Sequence, residues 1–170
     1  ETLYIINLNA SQAKEIAAIT EDGAKNLFET SVSCIGSTVC QIGLRDSQGL
    51  LASIVATVEP YHFADGVLPR IHISGCTSSC GTHQIGKLGF HGASKRVDGK
   101  MQPAFAFHVN GTDAQGAEHF GEEWGVMAAD VIPEFFVELG QVISDENLTY
   151  EVWYAKHPDK LKKIAEKYIC

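Results

Sequence analysis

Ser74-Gly75-Cys76-Thr77-Ser78-Ser79-Cys80-Gly81 is the stretch around which the chain is organised. It continues an alternating run, Arg70-Ile71-His72-Ile73-Ser74, that predicts a strand. Glycines bracket its two cysteines and let backbone come close to whatever the thiols hold. An earlier pair, Cys34 and Cys40, has five residues between its members against three for Cys76 and Cys80, and 35 residues separate the pairs. Four thiols in two clusters, in a chain with few other special residues, suggest one metal centre.

Three readings compete for these cysteines. Free cysteines are often buried as small apolar side chains, but two close pairs beside Gly and Ser at element ends fit that poorly. Structural zinc pairs usually have about two to four residues between ligands, which suits Cys76 and Cys80 and leaves Cys34 and Cys40 too wide. An iron–sulfur cubane takes four soft thiolates and tolerates varied spacing. Spacing therefore favours a cluster and specifies no reaction.

The 170 residues are enough for one domain with its own core. Five cysteines, an odd number in a chain of this length, do not read as a secreted disulfide framework. A reducing, cytoplasmic home is expected, where paired cysteines bind metal or do redox work. Cys170, remote from the others, reads as incidental. The net charge of −8 opposes a nucleic-acid surface. No apolar run reaches the roughly 20 residues of a membrane span, and no signal-like start is visible. A start at Glu1 rather than Met fits a fragment or a processed chain.

In order, Leu3 to Leu8 predicts a short buried strand, and Ser11 caps a helix running to about Ile19 that Glu21-Asp22-Gly23 ends. Leu27 to Ser33 predicts extended chain. From Ser37 to Val58 the apolar residues recur at helical spacing, putting Cys34 in the preceding loop and Cys40 in the first helical turn, near amides that favour negative charge. Glu59-Pro60 breaks that helix and Ala64-Asp65-Gly66 marks a loop. Ile85 to His91 predicts a strand whose Gly86 and Gly89 spare one face. Ala104 to Val109 is a clear strand, with Phe105, Phe107 and Val109 on one face, closed by Asn110-Gly111. Asp130 and Pro133 open a helix carrying Phe136, Leu139 and Ile143, and a last helix starts near Pro158 with Leu161, Ile164 and Tyr168 inside and a solvated lysine face. One α/β domain follows.

Cys34-x5-Cys40 followed by Ser74-Gly75-Cys76-x3-Cys80-Gly81 resembles the signature of the sirohaem-dependent nitrite and sulfite reductases. Leu88-Gly89-Phe90 and the C-terminal helices continue the likeness over most of the chain. The resemblance implies an α/β (α+β) fold, a mixed sheet flanked by helices. It implies that residues 1–170 form the cluster-binding domain of a longer chain. It makes Cys34, Cys40, Cys76 and Cys80 ligands of a [4Fe–4S] cluster, and Cys80 the bridging axial ligand of a sirohaem. Sharing that sulfur couples the two groups, which would feed a six-electron reduction of nitrite to ammonia or sulfite to sulfide. A ferredoxin or flavoprotein would donate the electrons. An upstream half would supply much of the anion-binding Arg and Lys set, so the fragment alone is expected to be inactive.

Two departures from the family pattern stand out: Lys87, where an acidic residue is usual, and Thr77-Ser78, where Pro-Asn is common. Local basic candidates are Arg45, Arg70, Lys87, Lys95 and Arg96, each read chiefly as surface charge. His72, His83, His91 and His108 fall on the strands near the cysteines. His83, three residues past Cys80, could touch the cofactor, though a structural role is the simpler reading. No catalytic residue is assigned. A precorrin-3B synthase-like oxygenase and a non-catalytic iron–sulfur electron-transfer module stand as alternatives.

Overall fold

Ala104, Phe105, Ala106, Phe107, His108 and Val109 are all buried, so the strand that carries them is covered on both faces. The computed structural model describes residues 4–21, 23–97 and 99–169, without the side chain of Val97. Five strands form one mixed sheet in sequence order: β1 (Val32–Ser33), β2 (Ile71–Ser74), β3 (Leu88–Val97), β4 (Lys100–Val109) and β5 (Glu122–Ala128). The first three run parallel, and the last two pair antiparallel. Helix α1 (Ala10–Ile19) precedes the sheet, and α2 (Ser47–Val58) is the crossover from β1 to β2. Residues 75–87, with the second cysteine pair and a 3-10 turn at His83–Ile85, join β2 to β3.

One face of the sheet is aromatic. Phe90 stacks on Phe107 with ring centres 5.0 Å apart, directly across β3 and β4. Phe136 and Phe135 of α3 (Ile132–Asp145) close on them at 5.9 and 5.4 Å. Ile54 of α2, Trp153 of α4 (Tyr150–Lys156) and Leu161 of α5 (Pro158–Ala165) complete this core. The opposite face of β3 and β4 carries Gly89, His91, Ala104, Ala106 and His108, small or polar residues that admit the 3-10 turn. A Cβ added at Gly89 would lie 1.9 Å from the His83 carbonyl oxygen, so only glycine allows the turn to sit there.

Several expectations are corrected. The helix expected from Ser37 starts only at Ser47, where the Asp46 side chain accepts from the Gly49 amide at 2.9 Å. Residues 37–46 fold as turns because their amides have partners outside any helix: Leu44 and Arg45 both donate to the Gly75 carbonyl, at 3.1 and 2.8 Å. Cys40 is therefore in a loop and not in a helical turn. Tyr4 to Leu8 is exposed and forms no strand, since no neighbouring strand takes up its hydrogen bonds; Leu3 lies outside the described residues. Helix α1 is capped by Asn9 with Gln12, not by Ser11, and buries none of its residues. Within Leu27 to Ser33, a 3-10 turn at Phe28–Thr30 precedes β1. Ile85 belongs to the 3-10 turn, and its strand begins at Leu88. Strand β5 and helix α4 were not anticipated. Asp22 and Cys170 lie outside the described residues. Among those described, no helix is long and apolar enough to cross a membrane.

Candidate metal centre

Cys34 follows β1 and Cys76 follows β2, so the two pairs start from the carboxyl ends of adjacent parallel strands, where open α/β sheets place ligands. Cys34, Cys40, Cys76 and Cys80 all line one cavity of about 550 Å³, with Gly36, Gly43, Gly75 and Ser78 among its walls. All four are free thiols; Cys80 is exposed and the other three are partly buried. The chain thus brings together every cysteine expected at the site.

Backbone hydrogen bonds weld the three segments that present them. The Cys34 amide donates to the Ile73 carbonyl at 3.0 Å, and Ser37 donates to the Arg45 carbonyl at 3.0 Å. Arg45 is a clamp: Nε donates to the Ala93 carbonyl at 2.7 Å, and the guanidinium also reaches the Leu44 carbonyl and the Ser94 hydroxyl. Gly92 on β3 lies under the loop, where a Cβ would come within 2.1 Å of the Gly75 oxygen. Ser79 and Thr82 adopt left-handed backbone, and the Thr82 hydroxyl bonds His72 Nδ1 at 2.7 Å to fix that bend.

Cys34 is the most supported sulfur. The Gly75 amide donates to Sγ at 3.0 Å, and Ser47 Oγ lies 3.2 Å away while the Ser47 hydroxyl also bonds the Cys34 carbonyl at 2.8 Å. Burial pushes the thiol pKa up, but the bonds from Ser47, Gly75 and Gly36 outweigh it and leave the pKa below the ordinary thiol value. The expected helix-start effect on Cys40 is not found: Cys40 lies outside α2, and the first residue of that helix, Ser47, contacts Cys34 through its side chain rather than its amide. Sequence reasoning missed Ser47, although the Asp46-Ser47-x-Gly49 capping pattern marks it as a helix start.

A single tetrahedral zinc would hold its four sulfurs within about 4 Å of one another. Among the described residues, the group whose ligand atoms lie within 4.8 Å of one another is His83, His91 and His108, not the cysteines. Four thiols around a cavity this large fit a polynuclear cluster better than one ion. None of the basic candidates lines the cavity. Arg45 is committed to its clamp, Lys95 reaches the Val126 carbonyl, and Lys87 pairs with Glu151 at 3.6 Å. Arg70 and Arg96 are exposed.

No protein-family model matches the chain. The ferredoxin–nitrite reductase of Synechococcus elongatus is 34% identical over 100 residues, covering 57% of this chain and 19% of that protein. The sulfite reductase [NADPH] hemoprotein beta-component of Bacillus subtilis is 24% identical over 153 residues, covering 83% of this chain and 25% of the relative. The Mycobacterium tuberculosis NirA structure superposes with a TM-score of 0.60 over 77% of the chain and 26% of its own, at 17% identity, and supports the fold. The chain is similar to nitrite and sulfite reductases over part of their length. It spans about a fifth to a quarter of the length of these relatives. Both departures from the nitrite and sulfite reductase pattern are accommodated: Lys87 faces Glu151, and Thr77 and Ser78 are exposed on the cysteine loop.

Proposed function

We propose that this chain is the cluster- and sirohaem-holding portion of a nitrite or sulfite reductase. The observation that carries the reading is the single cavity lined by cysteines from two distant segments, in a chain whose relatives are named nitrite and sulfite reductases. Cys34, Cys40, Cys76 and Cys80 would hold a [4Fe–4S] cluster, and the exposed Cys80 would also serve as axial thiolate to a sirohaem. When bound, this pair supplies single electrons to a six-electron reduction of nitrite to ammonia or of sulfite to sulfide.

The chain's own residues position and tune the thiolates. The Gly75 amide stabilises negative charge on the Cys34 sulfur, and the Ser47 hydroxyl, which donates its proton to the Cys34 carbonyl, is close enough to turn to the sulfur when it ionises. Arg45 ties the first cysteine loop to β3, so both pairs keep one geometry. Ile35 and Ile42 line the cavity and are exposed, and Val39 and Leu44 of the same loop are exposed too, an apolar set that a ring or a second half of the enzyme would cover. Substrate anion, electron donor such as ferredoxin or a flavoprotein, cytoplasmic location and the basic substrate pocket belong to the same proposal. The pocket would lie on the length of the relatives that this chain does not span, so residues 1–170 alone are expected to be inactive.

Anaerobic reconstitution with iron and sulfide tests the cysteine set. About four irons and four sulfides per chain are expected, and Cys34→Ser or Cys76→Ser should each lose most of them. A chain that takes up zinc on its cysteines and no iron would refute the cluster. In the longer protein, Cys80→Ser should alter the sirohaem spectrum; an unchanged spectrum removes the bridging role. Failure of that protein to reduce either nitrite or sulfite would leave an electron-transfer module.

A further inference from the structure

The three histidines that converge near the cysteine loop have no part in the proposed cluster. His91 on β3 pairs with Ala106 on β4, which puts His91 and His108 diagonally adjacent on one face of the sheet. His91 Nδ1 and His108 Nε2 are 2.8 Å apart. His83 is lowered onto them by the 3-10 turn that Gly89 admits, and the three ring centres stand 4.8, 4.9 and 5.0 Å from one another. One nitrogen from each ring lies within 4.8 Å of the other two. His83 and His108 are buried, at 2% and 8% exposed, while His91 is partly open and provides a way in.

We infer that His83, His91 and His108 form a binding site for a divalent transition-metal ion of the zinc, cobalt or ferrous class. Neutral imidazole is the preferred ligand of these ions, and three protein ligands plus one further position is a common zinc set. Tetrahedral Zn–N bonds of about 2.0–2.1 Å put ligand nitrogens roughly 3.3 Å apart, so the ion would replace the 2.8 Å His91–His108 hydrogen bond after a small separation of the two rings and a change of tautomer. The crowding keeps the rings neutral, as ligation requires: burial first, then the charges of His108 and His91, lower His83 to about 4. Outer partners are in place. His83 Nδ1 bonds Ser74 Oγ at 2.9 Å, which leaves Nε2 for the ion and fixes the ring. Ser74 Oγ is itself held by the Gly81 amide at 3.1 Å. The Glu123 carboxylate, 3.8 Å from His108 Nε2, is the nearby negative charge and can fill the fourth position or balance the ion. Structural packing alone would be served by apolar residues here; three convergent imidazoles beside a carboxylate are a donor set.

This inference stands whether or not the cysteines hold a cluster, and the experiment keeps the two apart. The chain, stripped of metal and kept reduced, is titrated with Co²⁺ or Zn²⁺. Thiolate-to-cobalt charge transfer in the near ultraviolet reports the cysteines, while histidine ring ¹⁵N resonances and X-ray absorption report nitrogen ligation. The expected result is a selective shift of the His83, His91 and His108 rings by one equivalent of Zn²⁺, with a nitrogen and oxygen shell. His91→Phe should weaken this binding by more than the roughly 10–100-fold that losing an outer hydrogen bond costs. Ring resonances that stay unmoved after Zn²⁺ has also filled the cysteines overturn the site. Should His91→Phe fail to fold, the wild-type ring shifts alone decide.

Discussion

Burial acts against charge at both Cys34 and His83, and the neighbours decide the outcome. At Cys34 the bonds from Ser47 and Gly75 win, and the thiol is easier to ionise than usual. Removing the hydroxyl in Ser47→Ala should raise its pKa and slow alkylation of Cys34 at neutral pH by roughly three- to tenfold, read by mass-resolved labelling. At His83 burial is reinforced by His108 and His91, and the proton is held off until about pH 4. An unfolded histidine titrates near 6.5, so between these values the unfolded chain binds more protons than the folded one. Stability present above pH 6.5 is therefore lost as pH falls toward 4. His91 and His108 are lowered as well, chiefly by burial, with Glu123 pulling both partly back. For the metal-free chain, urea unfolding should show a loss of about 2–3 kcal/mol from His83 over this window. His83→Gln should flatten that part of the profile; an unchanged slope would remove His83 as its source.

Elements that carry their own pattern were legible in the sequence, and those held by partners were not. Phe105, Phe107 and Val109 alternate, and Phe136, Leu139 and Ile143 recur at helical spacing, so β4 and α3 were readable from side-chain period alone. Residues 37–46 carry a helical apolar pattern as well, yet Gly43 packs against the Ser37 backbone and the Leu44 and Arg45 amides turn to Gly75. Those bonds are tertiary, and no local pattern announces them. Strand β1, two residues long, exists only because β2 offers a parallel edge. The cysteine spacing revealed the membership of the site, but Ser47 and the histidine convergence depend on register across β3 and β4. Two substitutions probe these elements. Asp46→Ala should cost about 1 kcal/mol in urea unfolding by removing the cap of α2. Gly89→Ala should cost more, roughly 2–4 kcal/mol, because its Cβ meets the immovable His83 carbonyl rather than a flexible side chain. A Gly89→Ala chain as stable as wild type would show that the 3-10 turn can lift off the sheet, which the histidine site cannot tolerate.

At the scale of the molecule, two of the groups of exposed apolar side chains lie at the N-terminal segment and the first cysteine loop. Tyr4, Ile5 and Ile6 precede an α1 that buries nothing, and the first cysteine loop exposes Ile35, Val39, Ile42 and Leu44, of which Ile35 and Ile42 line the cavity. The core itself is complete without either group, from Ile54 through Phe107 to Leu161, so the loop's apolar set contributes little to folding. Contiguous exposed apolar side chains around a cavity mouth are the signature of a surface that something else covers. Val39 and Ile42, 67% and 74% exposed, are the most open members of the set and flank Cys40. The double change Val39→Ser with Ile42→Ser should leave urea stability within about 0.5 kcal/mol of wild type, as surface changes usually do. It should lower the fluorescence of an environment-sensitive apolar dye bound to the chain by about half. In the longer reductase proposed for this segment, the same pair should reduce sirohaem retention while leaving iron on the cysteines. Dye binding that ignores both residues, together with full sirohaem retention, would mean the set is not the covered face. The apolar side chains would then only line the approach to Cys40.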